Sequence, residues 1–307
     1  METGDDIVRV RQSTLIGLNR EARSLPLISN SVKAQMAGGY LSAFRGRGME
    51  FYESRLYQPG DDIRAIDWRV TARSGRTHTK VYREERERPV LLWLDLSRSM
   101  FFGTRQCFKS VLAAKLAALF AWGSVQYGDR LGYLVFSEQQ HIEFRPSRGK
   151  RSALHFIRQL VAHQAWAQTE STEYDPDNGV NALMRLRQVT RPGSLLILLS
   201  DFRFLDERCH GQLAELARHN DVVMLHTSDP FERELSVPHR FRVTDGEQSL
   251  EIDLSHAGLR EQYQRRFKHD GEMLKRLGDE LGLFLIEIST DGDLMMQLKA
   301  GLGMQQK

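Results

Sequence analysis

Cysteine is scarce in this chain of 307 residues: Cys107 and Cys209 are the only two. They have no metal-type spacing, so they read as free thiols of a reducing compartment, which favours the cytoplasm. Long apolar runs are missing as well. The best candidate, "VLAAKLAALFAWGSV", is too short for a membrane span and is interrupted by Lys115. It reads as a buried amphipathic helix. The opening "METGDDIVRV" lacks the basic and apolar blocks of a signal peptide, so a soluble, intracellular protein is expected. No charge of one sign dominates. Lys and Arg total 43 against 40 Asp and Glu, a net of +3 that is too small to argue for nucleic acid. The ten histidines are scattered without an H-x-x-x-H pair, which removes the usual zinc signature. A phosphate loop is missing too. "RPSRGKRS" (145–152) has Gly149–Lys150, but Phe144 takes the place of the first glycine and Arg151 that of the hydroxyl. That stretch is expected to be a basic loop at a sheet end.

What is present is ordinary for a globular protein, with 41% hydrophobic and 27% charged residues. Residues 1–88 and 89–307 differ in character and are read as an N-terminal extension and a larger domain. In the extension, Leu15, Leu18 and Ala22 recur at helical spacing, predicting a helix over Arg11–Arg23. A segment rich in glycine, arginine and aromatics follows, with the turn signal "QPGDD" in its middle. From Pro89 onward, apolar strands alternate with helices. "VLLWLD" (90–95), "DRLGYLVFS" (129–137), "GSLLILLSD" (193–201), "DVVMLHTS" (221–228) and "LFLIEIST" (283–290) are the predicted strands. A polar hairpin is expected near 236–253. This alternation predicts an α/β fold: an open, Rossmann-like, mostly parallel sheet with helices on both faces.

In such sheets ligands gather at the carboxyl ends of the strands, where strand order reverses. Asp95 and Asp201 each end a predicted central strand, and Ser97 and Ser99 follow the first. Singly, each residue is best explained as a cap for the turn behind it. Together, D-x-S-x-S after one strand and S-D after another exceed what capping needs. An aspartyl phosphotransferase would want a second acid where Ser97 stands. A serine hydrolase would want a G-x-S-x-G elbow, and the glycines are absent. A hard cation such as Mg2+ needs only oxygen donors, which the pattern supplies. An ion held mainly by neutral hydroxyls and water keeps its positive charge and can accept a partner's carboxylate. The adjacent Phe101 and Phe102 would then offer apolar contact, or simply join the core.

"DLSRSM" (95–100) with "LSD" (199–201) resembles the metal-ion-dependent adhesion site of von Willebrand factor A-type domains. The longer run "RGRGMEFYESRLYQPGDDIRAIDWRVTARSGRTHTKVYREERERPVLLWLDLSRSM" resembles the family catalogued as domain of unknown function 58, nearly residue for residue. Similarity continues through "GDRLGYLVFS" and "SDF" to "STDGDL". The resemblance implies an A-type fold and a metal set of Asp95, Ser97, Ser99 and Asp201, binding Mg2+ or in its place Mn2+ or Ca2+. It also implies a MoxR-type AAA+ ATPase as partner, in the assembly or activation of client proteins.

A-type domains place a threonine ligand before the helix that precedes the fourth strand. Here that position falls near Asp177, with Thr172 a few residues upstream. An aspartate there would add negative charge and weaken the ion's pull on a partner's carboxylate. The segment before residue 88 mixes arginines with aromatics, as RNA binders do, but its acids would repel phosphate. Arg55, Asp62, Arg64, Asp67 and Trp68 are therefore read as structural or as facing the ATPase. The resulting expectation is a cytoplasmic, non-catalytic adaptor that uses a divalent cation to capture an acidic side chain. A metal-dependent hydrolase or phosphatase using Asp95 and Asp201 is the first alternative, and a nucleic-acid-binding module the second.

Overall fold

The computed structural model describes residues 6–25, 49–58, 61–84, 88–167, 175, 177–233, 240–244, 249–253 and 257–303. The chain forms two compact units, one of residues 1–39 with 88–307 and one of residues 40–87. The extension expected over 1–88 is thus divided between the two. Its first part joins the large unit because its apolar side chains have a partner there. Helices α1 (Gln12–Gly17) and α2 (Asn19–Ala22) bury Leu15 and Ala22, interrupting at Leu18 what the periodicity predicts as one helix. Trp122 Nε1 donates to the Leu15 carbonyl at 2.9 Å, and the Phe108 amide to that of Ile7 at 2.8 Å.

The small unit is an antiparallel pair, β1 (Met49–Leu56) and β2 (His78–Glu84), with helix α3 (Trp68–Ser74) between them in sequence. Asp67 starts α3 by accepting from the amides of Arg69 and Val70, both at 3.1 Å, which fills two of the donors a helix start leaves open. It also accepts from the Ser54 hydroxyl at 2.8 Å, tying the helix to β1. Gly75, at φ 69, closes the helix in the left-handed conformation glycine allows.

The large unit is built on six strands: β3 (Pro89–Asp95), β4 (Arg130–Phe136), β5 (His141–Arg148), β6 (Leu195–Ser200), β7 (Asp221–Ser228) and β10 (Phe284–Ser289). Their order is β10-β7-β6-β3-β4-β5, all parallel except β5, which runs antiparallel to β4. The predicted hairpin is present as β8 (Arg240–Thr244) and β9 (Ser249–Asp253), a separate antiparallel pair. Strand β5 corrects the expected basic loop. Residues 145–148 are strand, Gly149 turns the chain at φ 82, and a helix begins at Lys150. Its exposed and half-buried residues alternate, as an edge strand's do, and Pro146 is tolerated there.

Successive side chains of the strands point to opposite faces, so the sheet carries two cores. On one face Val90, Leu92 and Leu94 pack with helices α4 (Lys109–Gln126) and α5 (Lys150–Val161), and with α1 and α2. On the other, Leu91 and Trp93 pack with α6 (Asp177–Val189), α7 (Glu207–His219) and α9 (Ala257–Leu281). The one-turn α8 (Pro230–Arg233) follows β7, and α10 (Leu294–Gly301) ends the described chain on the first face. Helix α4 is alanine-rich and buried on almost every side, as expected of a helix between a sheet and a second helical layer.

Chain order runs outward from β3 through β4 to β5 on one side, and from β6 through β7 to β10 on the other. The reversal lies between β3 and β6, so their carboxyl ends border the crevice where such sheets bind ligands. The loop after β6 is pressed against α6: a Cβ on Gly179 would lie 2.2 Å from Phe204 Cγ. Glycine to alanine inside a helix ordinarily stabilises by up to about 1 kcal/mol. Here overpacking reverses the sign, and Gly179→Ala is expected to cost about 1–3 kcal/mol in urea denaturation.

Candidate metal centre

Asp95 ends β3 with its side chain almost wholly buried. Its Oδ1 accepts from the Ser97 amide at 2.7 Å, and its Oδ2 from the hydroxyl of Ser200, the last residue of β6, at 2.6 Å. The carboxylate thus pins the ends of the two central strands together. The Ser97 and Ser99 hydroxyls lie 3.3 Å apart on the turn that follows. Asp201 comes next after Ser200 and is also buried. The residue after it, Phe202, has φ 53, unusual for a non-glycine residue. Its amide is held by Ser200 Oγ at 2.8 Å, and its ring packs near Phe204 and His226.

The side chain facing Asp201 is a lysine. Lys109, the first residue of α4, is fully buried, and its Nζ lies 2.8 Å from Asp201 Oδ2 and 2.7 Å from Glu232 Oε1. Arg203 reinforces the pair, with Nη2 2.7 Å from Glu232 Oε1 and Nε 3.5 Å from Asp201 Oδ2. Glu232 Oε2 accepts from the Asp229 amide at 3.0 Å. Asp229 is itself a buried clasp. It accepts from the hydroxyls of Thr104 and Thr290, both at 2.5 Å, and so joins the loops after β3, β7 and β10.

Burial acts to raise both central carboxyls, but their neighbours differ. Asp95 is pushed up to about 7 by burial and then by the charge of Asp201, against the hydrogen bonds from Ser200 and Ser97. For Asp201, burial is outweighed by Lys109 and Arg203, which hold it below the usual carboxylate value. Lys109 is likewise raised, because Asp201 and Glu232 together outweigh its burial. Positive charge is therefore concentrated on the Asp201 side, and Asp95 is short of it.

A hard cation suits that imbalance. The donors are all oxygens, two of them neutral hydroxyls side by side, and an ion near Asp95 would supply the missing charge. It would not rest in a cage of acids: among the described residues, no group of three or more His, Cys, Asp or Glu is placed to hold a metal. Asp95, Ser97, Ser99 and Asp201 would hold the ion, and Asp201 is the one already engaged by another cation.

The other expected positions lie elsewhere. Asp177 is exposed at the start of α6 and pairs with Arg208 at 2.6 Å; no contact among the described residues joins it to Asp95 or Asp201. Thr172 lies outside the described residues. Phe101 is half-buried, edge-on to Trp166 at 5.4 Å between ring centroids, and Phe102 is 6.3 Å from Phe231. In the small unit Arg55 grips Asp61 through two hydrogen bonds, and Asp62 accepts from the Arg64 amide to start a short 3-10 turn. Asp67 is used internally as the α3 cap, whereas Arg64 and Trp68 are exposed. Sequence reasoning missed Lys109, Arg203, Asp229 and Glu232. One signal was available: "SD" ends β7 at Ser228–Asp229 just as it ends β6 at Ser200–Asp201.

Comparison with known proteins fits the signature before β3. The family described as "Protein of unknown function DUF58" matches residues 53–273. This chain belongs to that family. Uncharacterized proteins of Mycobacterium bovis and Mycobacterium tuberculosis are 29% identical to it over 278 residues, covering 90% of this chain and 86% of theirs. Among solved structures, the conserved hypothetical protein BatB from Bacteroides thetaiotaomicron matches at 14% identity and a TM-score of 0.41, covering 70% of this chain and 95% of that one. An aerotolerance-related membrane protein from Bacteroides fragilis matches at 13% and 0.41, with 70% and 96% covered. Among the described residues, no helix of this DUF58 protein is long and apolar enough to cross a membrane.

The raised value of Asp95 has a definite consequence for stability. Its folded value of about 7 exceeds the reference 3.8, so between those limits the folded chain binds the extra proton. Without metal, the Asp95 contribution to stability falls as pH rises from about 4 to 7 and stays lost above. Asp95→Asn cannot ionise. In EDTA its stability relative to wild type should rise between pH 4 and pH 8, whatever the fixed cost of losing one accepted hydrogen bond. Thermal melts at the two pH values check this.

Proposed function

We propose that this DUF58 protein is a non-catalytic docking protein whose Asp95, Ser97, Ser99 and Asp201 bind a divalent cation, Mg2+ first. The cation would present positive charge at the sheet end and take a carboxylate from a partner, as in the metal-ion-dependent adhesion site of von Willebrand factor A-type domains. The observation that carries this reading is the pair of serine hydroxyls 3.3 Å apart beside a buried carboxyl that lacks positive charge. Neutral donors leave the ion's charge available for a partner. The partner in this reading is a MoxR-type AAA+ ATPase, with a client protein offering an acidic side chain. A cytoplasmic setting belongs to the same proposal and is supported by the two buried free thiols, Cys107 and Cys209.

Docking is favoured over hydrolysis by the way the groups are occupied. Both oxygens of Asp95 accept internal hydrogen bonds, and the Ser97 and Ser99 hydroxyls contact each other, Asp95 and Asp201, with no histidine among their described partners. Pull-downs of the ATPase with the purified chain test the reading. Binding should fall at least tenfold in EDTA and in Asp95→Ala, with the variant still folded by circular dichroism. Binding indifferent to both would remove the metal bridge. Steady turnover of a phosphoester, lost in Asp95→Asn, would instead favour the metal-dependent hydrolase or phosphatase.

A further inference from the structure

A fully buried ammonium is a costly choice, since an apolar side chain of similar volume is often as stable or more so. Lys109 adds to the difficulty by standing in the first turn of α4, where the helix dipole disfavours a cation. Its two contacts suggest what the arrangement achieves. One is Asp201 Oδ2, an oxygen of the candidate metal set, and the other is Glu232 Oε1, which lies outside that set. Glu232 is held in addition by the Asp229 amide at 3.0 Å and by Arg203 at 2.7 Å, which itself reaches Asp201 Oδ2 at 3.5 Å. The ammonium therefore already holds a second anion, anchored to the loop after β7, that it keeps if Asp201 is taken.

We propose that Lys109 is a tethered counter-cation of the metal site: its ammonium bridges Asp201 and Glu232 when no divalent ion is bound and is left to Glu232 when an ion takes Asp201. The inference rests on the metal reading given above. The ion and the ammonium compete for one oxygen, and like charges repel across the site. Lys109 thus lowers affinity for the ion and keeps it exchangeable, while giving Asp201, together with Arg203, a counter-charge in its absence. Glu232 works the opposite way, by stabilising the ammonium once Asp201 is taken.

The two side chains should consequently shift metal affinity in opposite directions, which a merely structural role would not do. Mn2+ serves as the probe, with free ion followed by electron paramagnetic resonance during titration of the full chain. Lys109→Met should bind Mn2+ at least tenfold more tightly than wild type, and Glu232→Gln at least threefold more weakly. Asp95→Ala added to Lys109→Met should abolish the binding, which places it at this site. Equal or weaker binding by a folded Lys109→Met protein overturns the inference and leaves the metal site standing. Should Lys109→Met fail to fold, Glu232→Gln decides: weaker binding supports the inference, and unchanged or tighter binding overturns it. No Mn2+ binding by wild type or Lys109→Met at millimolar ion overturns both the metal reading and the inference.

Discussion

The Lys109 ammonium, between Asp201 and Glu232, joins three segments that the sheet brings to one end. Lys109 heads the helix after β3, Asp201 follows β6, and Glu232 lies in the single turn after β7. Each charge alone would be ruinously desolvated at that depth. Together, with Arg203 and the Asp229 amide, they satisfy one another and hold the loops in register. Asp95 and its bond to Ser200 complete the seam on the β3 side.

The sheet explains why these groups meet. Because strand order reverses between β3 and β6, the loops leaving them go to opposite faces and open a crevice between them. Polar groups at strand ends face that crevice, while the strands below carry two apolar cores. The proposed docking role and the buried ion pairs are thus two consequences of one topology. It concentrates charge where the backbone has just left the hydrogen-bonded ladder.

Much of this was legible from local pattern. The parallel strands are short apolar runs bounded by polar residues, because both faces of each are covered. Most helices show their periods, α4 excepted because it is buried on almost every side and not amphipathic as expected, and the Asp95–Ser97–Ser99 spacing is local enough to be read directly. Strand β5 escaped because an edge strand is only half-buried. Its arginines and proline look like loop, and only pairing with β4 reveals it. The division of the N-terminal region escaped for a related reason: whether Leu15 and Ala22 pack on α4 or on the small unit cannot be read from their spacing.

The charge state of the site was beyond local pattern altogether. Lys109 and Asp201 are 92 residues apart and Lys109 and Glu232 are 123 apart, and nothing near a lysine in sequence tells whether it will be buried. By itself the sequence determined the α/β alternation, the oxygen donors at the strand ends and the family. Only the tertiary structure decided that a lysine already stands against Asp201, that Asp177 is bound to Arg208 on the surface, and that Asp95 is the carboxyl short of positive charge. Secondary-structure period is set by neighbours along the chain. The cost of burying a charge is set by whatever packing brings beside it.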